Sequence, residues 1–279
     1  MSAVFFPESL EACFDLRRQY GDALVMAGGT DLLVAERKTG SGGRPLVCLE
    51  RVVDLRQIAP GPDGGIVIGA AAPLSAVIRH PLVAERYPLL AMAAATVGGP
   101  AIRNMATIGG NICTASPAGD CLPPLYLLEA RLELSDGENR RRVPVDTFIT
   151  GPKKTVLSAG ELLTAVHLPA PGDFAVRHFE KVGRRNALAV AVASLAALIR
   201  LDEGNRVAEA RLAWGSVGPC VVRCPEAEDR LTGRPLSEAS LREAGEAVRR
   251  TIRPIDDIRA TAEYRRMLAA NLLLRLERP

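Results

Sequence analysis

The feature that most constrains the fold is a short apolar segment, Val25-Met26-Ala27, that runs into Gly28-Gly29-Thr30-Asp31 and then into a helical pattern. Adjacent glycines permit a tight turn, because glycine has no Cβ and tolerates positive φ. Thr30 or Asp31 can cap the helix, whose first turn carries unpaired amides and the positive end of the helix dipole. Such a turn suits an anionic group, but it is also typical of an ordinary structural turn.

Short strands and helices alternate around this turn in the first third of the chain. Their hydrophobic periodicity predicts a helix over 12–20, a strand over 24–27, a helix over 32–38 and a strand over 46–49. This order predicts a βαβ unit. The turn matches neither G-x-G-x-x-G nor G-x-x-x-x-G-K-[ST], so neither the dinucleotide fingerprint nor the Walker loop describes it.

A second glycine segment, Thr107-Ile108-Gly109-Gly110-Asn111, opens a stretch of small and polar residues that continues to Asp120. It predicts a long polar loop whose glycines let the backbone approach a phosphate or a ring. Asp120 directly precedes a helical pattern over 122–130, so it is either a helix cap or a carboxylate that binds sugar hydroxyls. Two separated glycine loops, each offering N–H groups, suit a dinucleotide better than a mononucleotide.

The remaining patterns divide the chain in two at a Pro/Gly segment over 169–172. Before it, we predict a strand over 66–72, a helix from Pro73 to about His80, a helix over 88–95, a hairpin around Asp136-Gly137 and a strand over 161–168. After it, we predict a buried apolar element over 187–199, a strand over 207–214, and helices over 227–231, 241–252 and 264–274. These elements predict a small antiparallel sheet packed on helices.

Composition excludes several classes of protein. A chain of 279 residues is long enough for about two domains, and its net charge is only +3. The densest basic run, Arg140-Arg141-Arg142, adjoins the hairpin turn and has no aromatic neighbours, which favours a solvated hairpin over a nucleic-acid patch. Six cysteines without a C-x2-C pair indicate buried thiols rather than a metal site. The absence of a signal pattern predicts a cytoplasmic protein, and the longest apolar run is too short for a membrane span.

The two glycine segments together resemble the FAD-binding medium subunits of the xanthine dehydrogenase and carbon monoxide dehydrogenase family of molybdenum hydroxylases. The resemblance rests on A-G-G-T-D-L-L at 27–33 and I-R-N-x-x-T-I-G-G-N-I-x-x-A-S-P-A-G-D at 102–120. It extends through F-x-K-x-G-R-R at 179–185, G-P-x-x-x-R-x-x-E-A-E at 218–228 and D-x-R-A-x-A-x-Y-R at 257–265. Nearly the whole chain is therefore covered.

The resemblance implies an α+β fold of two domains. The first, over 1–172, is a two-subdomain FAD-binding fold of the vanillyl-alcohol-oxidase (PCMH-like) type, with subdomains of about 1–55 and 56–172. The second, over 173–279, is a C-terminal domain of small antiparallel sheet and helices. Both expectations agree with the order of strands and helices that the periodicity predicts.

The resemblance also implies which residues meet the cofactor. The first glycine segment should wrap the pyrophosphate, with Val25, Met26, Ala27, Gly28, Gly29, Thr30, Asp31 and Leu32. The second should meet the other side of FAD, with Thr107, Ile108, Gly109, Gly110 and Asn111, and Asp120 should bind hydroxyls. Val97, Leu163 and Lys181 are further implied contacts, although the pattern alone makes the first two core residues and Lys181 a surface cation. Neither glycine segment contains histidine, so we expect non-covalent FAD.

The implied partners are an iron–sulfur small subunit with [2Fe-2S] clusters and a molybdopterin large subunit, in a dimer of heterotrimers. In that complex, electrons pass from the clusters through FAD to an external acceptor. No nucleophile–base pair or carboxylate dyad is recognisable in the sequence, so we predict no catalytic side chain and no metal on this chain.

Three other interpretations remain open at this stage. The first is a self-contained flavin oxidoreductase of the same fold. The second is a hydroxybenzoyl-CoA-reductase-type subunit without the extra iron–sulfur insertion, because Asp120 follows Cys113 too closely to leave room for one. The third is a nucleotide-binding scaffold that has lost its flavin.

Overall fold

The strand, turn and helix patterns at the start of the chain form a small parallel sheet in the computed structural model, which describes residues 3–39, 43–185 and 188–277. Its elements are β1 (Val4–Phe5), α1 (Leu10–Gln19), β2 (Leu24–Met26), α2 (Leu32–Thr39) and β3 (Leu46–Cys48). The strand order is β1-β3-β2, and both pairs are parallel. The predicted βαβ unit is therefore present, with β1 as an added edge strand.

The second subdomain is an antiparallel sheet covered by short helices. Its elements are β4 (Ile58–Pro60), β5 (Ile66–Gly69), α3 (Leu74–Arg79), α4 (Pro81–Arg86), α5 (Pro88–Ala95), α6 (Pro100–Met105), α7 (Ile108–Cys113), α8 (Leu122–Leu127), β6 (Arg131–Ser135), β7 (Arg140–Pro144), α9 (Val145–Phe148), β8 (Ile149–Gly151), β9 (Lys154–Thr155) and β10 (Leu162–Leu168). The main sheet has the order β4-β5-β10-β6-β7, and β8 pairs with β9. Proline at the first helical position begins α4, α5 and α6, since that position needs no N–H.

The basic run lies on β7 of the predicted hairpin. Arg141 makes a two-pronged ion pair with Glu161 and Arg142 pairs with Glu133, while both arginines stay exposed to solvent. Exposed ion pairs of this kind stabilise a surface only modestly. The arginines therefore fit the interpretation of a solvated hairpin.

The C-terminal part is a four-stranded antiparallel sheet with helices on one side. It comprises β11 (Val176–Gly183), β12 (Ala191–Leu201), β13 (Val207–Gly215), β14 (Val222–Arg223), α10 (Pro225–Leu231), α11 (Glu238–Thr251) and α12 (Ala262–Asn271), followed by a 3-10 turn, Leu272–Leu276. Ala196 and Leu198 on β12 join the core of the preceding antiparallel sheet and its short helices, whereas Leu195 and Ile199 join the core formed with the C-terminal helices. Because β12 is buried on both faces, its sequence is a continuous apolar run rather than an alternating one. Ala187, where the predicted apolar element begins, lies outside the described residues.

Two predicted elements differ most from the structure, and several short elements, among them α4, α6 and β4, were not predicted. The stretch after Thr107, predicted as a long loop, contains helix α7, because Thr107 caps it by accepting a hydrogen bond from the Gly110 amide at 3.0 Å. The helix predicted over 122–130 ends at Leu127, and Glu129 has a φ of 53°, a value that interrupts helical geometry.

Candidate functional site

The first glycine turn presents a run of backbone amides that the protein itself does not use. Gly29 has a φ of 69°, and the chain then enters α2 through Thr30 and Asp31. Within the part of the chain that the structure describes, the amides of Gly28 through Leu32 donate no hydrogen bond. Five amides without a protein acceptor at the start of a helix can bind an anion, because they combine with the positive end of the helix dipole.

Gly28 is the point at which the first glycine turn meets the backbone just before the second glycine segment. A Cβ built on Gly28 would lie 1.7 Å from the Met105 carbonyl oxygen and 3.0 Å from the Ala106 nitrogen. Only glycine allows this approach of two backbones. Nearby, the Thr114 hydroxyl donates to Asp31 Oδ2 at 3.1 Å, so the two segments touch at both ends of the turn.

The second glycine segment uses its own backbone amides within the protein. The amides of Ile108 and Gly109 donate to the Ala72 and Ala70 carbonyls, the Gly110 amide donates to Thr107 Oγ1, and the Asn111 amide donates to the Thr107 carbonyl. The expectation that both loops offer N–H groups is thus wrong for this one, because helix formation and packing on the sheet consume its donors. What it does offer is the Asn111 side chain, whose buried Oδ1 accepts no hydrogen bond.

Asp120 and Lys181 form a buried ion pair between the two parts of the chain. Lys181 Nζ on β11 lies 2.5 Å from Asp120 Oδ2 and also donates to the Thr96 carbonyl at 2.9 Å. The side chains are only 10% and 7% exposed, so Lys181 is not the surface cation that the pattern alone suggested. Asp120 does not cap α8 either, since the N-cap residue is Cys121.

The electrostatics of this pair leave one oxygen free for a ligand. Burial raises the pKa of Asp120 to about 6, against the opposing effect of the Lys181 charge and hydrogen bond. Asp120 Oδ1 is buried and accepts no hydrogen bond from any described residue. Unsatisfied buried oxygens are costly, so their presence indicates a missing donor. Asp120 Oδ1 and Asn111 Oδ1 therefore fit a ligand that carries hydroxyl groups, as FAD does.

Val97 and Leu163 are positioned differently from the polar residues. Leu163 is 5% exposed on β10 and belongs to the core, as its pattern indicated. Val97 is half-buried at the end of α5, one residue after Thr96, and its carbonyl accepts a hydrogen bond from Arg103 at 3.1 Å. Val97 therefore directly follows the residue whose carbonyl accepts a hydrogen bond from Lys181.

The structure adds residues that the sequence did not single out. A cavity of about 300 Å³ borders Gly28, Met105 and Thr107, and two exposed arginines, Arg51 and Arg56, also line it. Thr96 contributes the carbonyl that accepts from Lys181, and Thr114 contributes the hydroxyl that donates to Asp31. None of these has a residue-type signal in the sequence, because a backbone carbonyl or a surface arginine is meaningful only once its neighbours are known.

The described residues form no cluster of metal ligands and no disulfide. No three histidine, cysteine, aspartate or glutamate side chains among them cluster as metal ligands, and all six cysteines are free thiols. Burial raises the pKa of the Cys13 thiol to about 11, so this thiol is unreactive at neutral pH. No helix in the described ranges has the length and apolar character to cross a membrane.

A substitution at Gly109 tests how tightly the second segment packs. A Cβ there would lie 2.6 Å from the Ala70 carbonyl oxygen, so Gly109→Ala should destabilise the protein by about 1–3 kcal/mol through overpacking. Chemical denaturation would measure the loss. Gly151→Ala is the control, because its Cβ would meet nothing nearer than the Lys154 side chain at 3.9 Å; equal losses in both variants would contradict the packing argument.

Comparison with protein families matches almost the entire chain. Residues 1–171 match the family described as the FAD binding domain in molybdopterin dehydrogenase. Residues 177–278 match the CO dehydrogenase flavoprotein C-terminal domain.

Individual relatives agree with these matches. The xanthine dehydrogenase FAD-binding subunit of Escherichia coli O157:H7 is 34% identical over 244 residues, covering 87% of this chain and 83% of the relative. The carbon monoxide dehydrogenase medium chain of Hydrogenophaga pseudoflava is 31% identical over 271 residues, covering 96% of this chain and 93% of the relative.

Solved structures show the same similarity in three dimensions. A chain of carbon monoxide dehydrogenase from Hydrogenophaga pseudoflava, in a form that lacks the Mo-pyranopterin moiety of the molybdenum cofactor, superposes with a TM-score of 0.91 at 30% identity. That match covers 98% of this chain and 95% of the other. Quinoline 2-oxidoreductase from Pseudomonas putida 86 gives a TM-score of 0.92 at 27% identity, covering 99% and 95% of the two chains.

Proposed function

The chain belongs to the FAD-binding medium subunits of the xanthine dehydrogenase and carbon monoxide dehydrogenase family, and from this premise we propose that it passes electrons from iron–sulfur clusters through FAD to an external acceptor. As a member of that family it is the flavoprotein subunit of an oxidoreductase complex. The observation that carries the FAD-binding part of this proposal is the run of free amides from Gly28 through Leu32. Five unused donors beside a helix start are explained by a pyrophosphate.

Around that anchor, the residues implied by the resemblance become proposed FAD contacts. The amides of the first turn hold the pyrophosphate. Val25, Met26 and Ala27 connect β2 to this turn and so fix where it lies. Thr107, Ile108, Gly109 and Gly110 form the packed wall opposite, while Asn111 and Asp120 accept hydrogen bonds from hydroxyls. Val97, Leu163 and Lys181 complete the set. The proposed division of the chain remains 1–172 for the FAD-binding domain, with subdomains of about 1–55 and 56–172, and 173–279 for the C-terminal domain.

The residues of this chain position the cofactor and set its electrostatic surroundings. FAD, when bound, supplies the redox chemistry, because it can accept and donate electrons singly or in pairs. Lys181 places a positive charge within the site, and Asp120 and Thr96 keep that charge in place. A fixed cation favours negative charge on a bound ligand, without any proton transfer by the protein.

The proposed partners are an iron–sulfur subunit and a molybdopterin subunit, in a dimer of heterotrimers. The names of the relatives support this, because they are a medium chain and an FAD-binding subunit. The molybdenum and the [2Fe-2S] clusters would then lie on the partners.

Spectroscopy of the purified chain tests the proposal. We expect an oxidised-flavin absorption band, and we expect acid to release the flavin, since no histidine lies in either glycine segment to bind it covalently. The complex purified from its native host should contain molybdenum and iron in addition. A lone chain that oxidises an organic substrate at full rate would instead support the self-contained oxidoreductase, and a chain that binds no FAD would support the scaffold.

A further inference from the structure

A buried arginine far from the glycine turn contacts three separate segments of the C-terminal domain. Arg265 on α12 is only 4% exposed. One of its terminal nitrogens donates to the Val192 carbonyl at 2.6 Å and the Ser216 carbonyl at 3.1 Å, and the other donates to Asp257 Oδ1 at 2.7 Å. A buried cation is retained only where such partners offset its desolvation.

Asp257 is held as a carboxylate for this purpose. Burial opposes its ionisation, but hydrogen bonds from the Arg259 amide, from the Arg265 and Arg259 side chains and from the Ala260 amide outweigh burial and hold the pKa of Asp257 well below its usual range. Asp257 is therefore ionised at neutral pH. Asp257 and Arg265 both belong to the D-x-R-A-x-A-x-Y-R segment, for which the cofactor contacts alone give no reason.

The Ser216 turn connects Arg265 to the segment that carries Asp120. Ser216 has a φ of 64°, a conformation that a residue with a side chain adopts only when its surroundings impose it. While its carbonyl accepts from Arg265, its amide donates to the Pro117 carbonyl at 2.8 Å. Pro117 lies three residues before Asp120 in the chain, so two hydrogen bonds connect Arg265 to the segment that leads into Asp120.

A second connection leads to Lys181. Val192, whose carbonyl accepts from Arg265, lies on β12 two residues before Ser194, and Ser194 is paired with Lys181 across the β11–β12 ladder. Beyond the end of β11, Arg184 donates to the Ile258 carbonyl at 3.1 Å, and Ile258 lies in the loop that Asp257 holds. Contacts of the same guanidinium thus lead towards both partners of the buried ion pair.

We propose that Arg265, with Asp257, is a positioning residue of the flavin site that holds Asp120 and Lys181 in register across the two domains. The inference rests on the proposed function, because it concerns how that FAD site is kept in shape. Arg265 acts through Ser216, Pro117 and β12, and it is not a cofactor ligand.

The test compares Arg265→Gln with Arg259→Gln in the 279-residue chain. Glutamine at 265 cannot reach all three acceptors, so FAD should bind at least about tenfold more weakly, as measured by flavin fluorescence titration. Arg259 contacts the same carboxylate from the solvent side but neither Val192 nor Ser216, so the Arg259→Gln variant should bind FAD within about twofold of the parent. Arg265→Lys, a smaller change, should fall between the two.

Two further measurements separate positioning from loss of stability. In an Asp120→Asn background, Arg265→Gln should weaken FAD binding by less than about threefold, since coupled residues are not additive. In the protein without FAD, the free energy of unfolding should depend on pH partly through Asp120, and Asp120→Asn should remove that part. The pH range of this part should shift in Arg265→Gln and stay unchanged in Arg259→Gln. Additive effects on FAD binding, or an unshifted pH dependence, would overturn the inference. A parent chain that binds no FAD would instead overturn the proposed function. The pH comparison would still test whether Arg265 positions Asp120 and Lys181.

Discussion

Replacing Gly28 with alanine is expected to weaken FAD binding by at least about a hundredfold. The added Cβ would occupy a point 1.7 Å from the Met105 carbonyl oxygen, and no flexible side chain can move aside, because both contacting groups are backbone. The glycine turn and the segment before Thr107 must therefore separate. This separation would displace the free amides from Gly28 through Leu32 relative to Asn111, on the other side of the proposed site.

A flavin titration of the Gly28→Ala variant measures this effect, with circular dichroism to confirm that the chain still folds. Gly21→Ala is the matched control, since a Cβ there would meet nothing within 4 Å and its φ is not positive. It should leave FAD binding unchanged. A Gly28→Ala chain with normal FAD affinity would show that the close backbone approach has no part in binding.

Replacing Lys181 with methionine should destabilise the protein without FAD by about 3–5 kcal/mol at pH 8. The substitution keeps an apolar stem but leaves the Asp120 carboxylate, only 7% exposed, without its cation. Lys154→Met is the control, because Lys154 is exposed on β9 and should change stability by less than about 0.5 kcal/mol.

The loss in the Lys181→Met variant should depend on pH in a defined direction. With Lys181 present, the pKa of Asp120 is already raised to about 6, above the ordinary 3.8, so the folded state keeps a proton that the unfolded state has released between these values. Stability therefore falls as pH rises through that window. Without the lysine charge, the pKa of Asp120 rises further and the window extends upward.

Denaturant unfolding at several pH values would test this direction. The deficit of Lys181→Met should be largest at pH 8 and should shrink as pH falls towards 5, since a protonated Asp120 needs no cation. The Asp120→Asn and Lys181→Met double variant should lose less than Lys181→Met alone at pH 8. A deficit that is the same at both pH values would mean that the ion pair does not control the ionisation of Asp120.

Several parts of the fold could be read from local sequence because local physics decides them. The turn at Gly28-Gly29 follows from the need for positive φ at Gly29, which few other residues supply. The helices over 74–79 and 88–95 follow from proline starts and apolar periodicity. The resemblance of the two glycine segments to FAD-binding medium subunits is confirmed by the family matches over 1–171 and 177–278.

The second glycine segment shows where local interpretation reaches its limit. Its small residues predicted an open loop with free amides, but the Thr107 cap and the carbonyls of Ala70 and Ala72 engage those amides. Ala70 and Ala72 are more than thirty residues away along the chain. A short helix of marginal intrinsic stability forms there because tertiary packing supplies the partners that its sequence lacks.

What the sequence by itself determined is the glycine turn, the strands and helices directly around it, and the family, since each depends on local backbone preference or on a contiguous motif. What only the tertiary structure decided is which amides stay free, and that Asp120 meets Lys181 across 61 residues while Arg265 braces both. The physical reason is burial: a carboxylate, an ammonium and a guanidinium have ordinary properties in water. Where distant segments exclude the solvent, each charge costs free energy unless a partner lies beside it. Burial therefore decides where each of these side chains can lie.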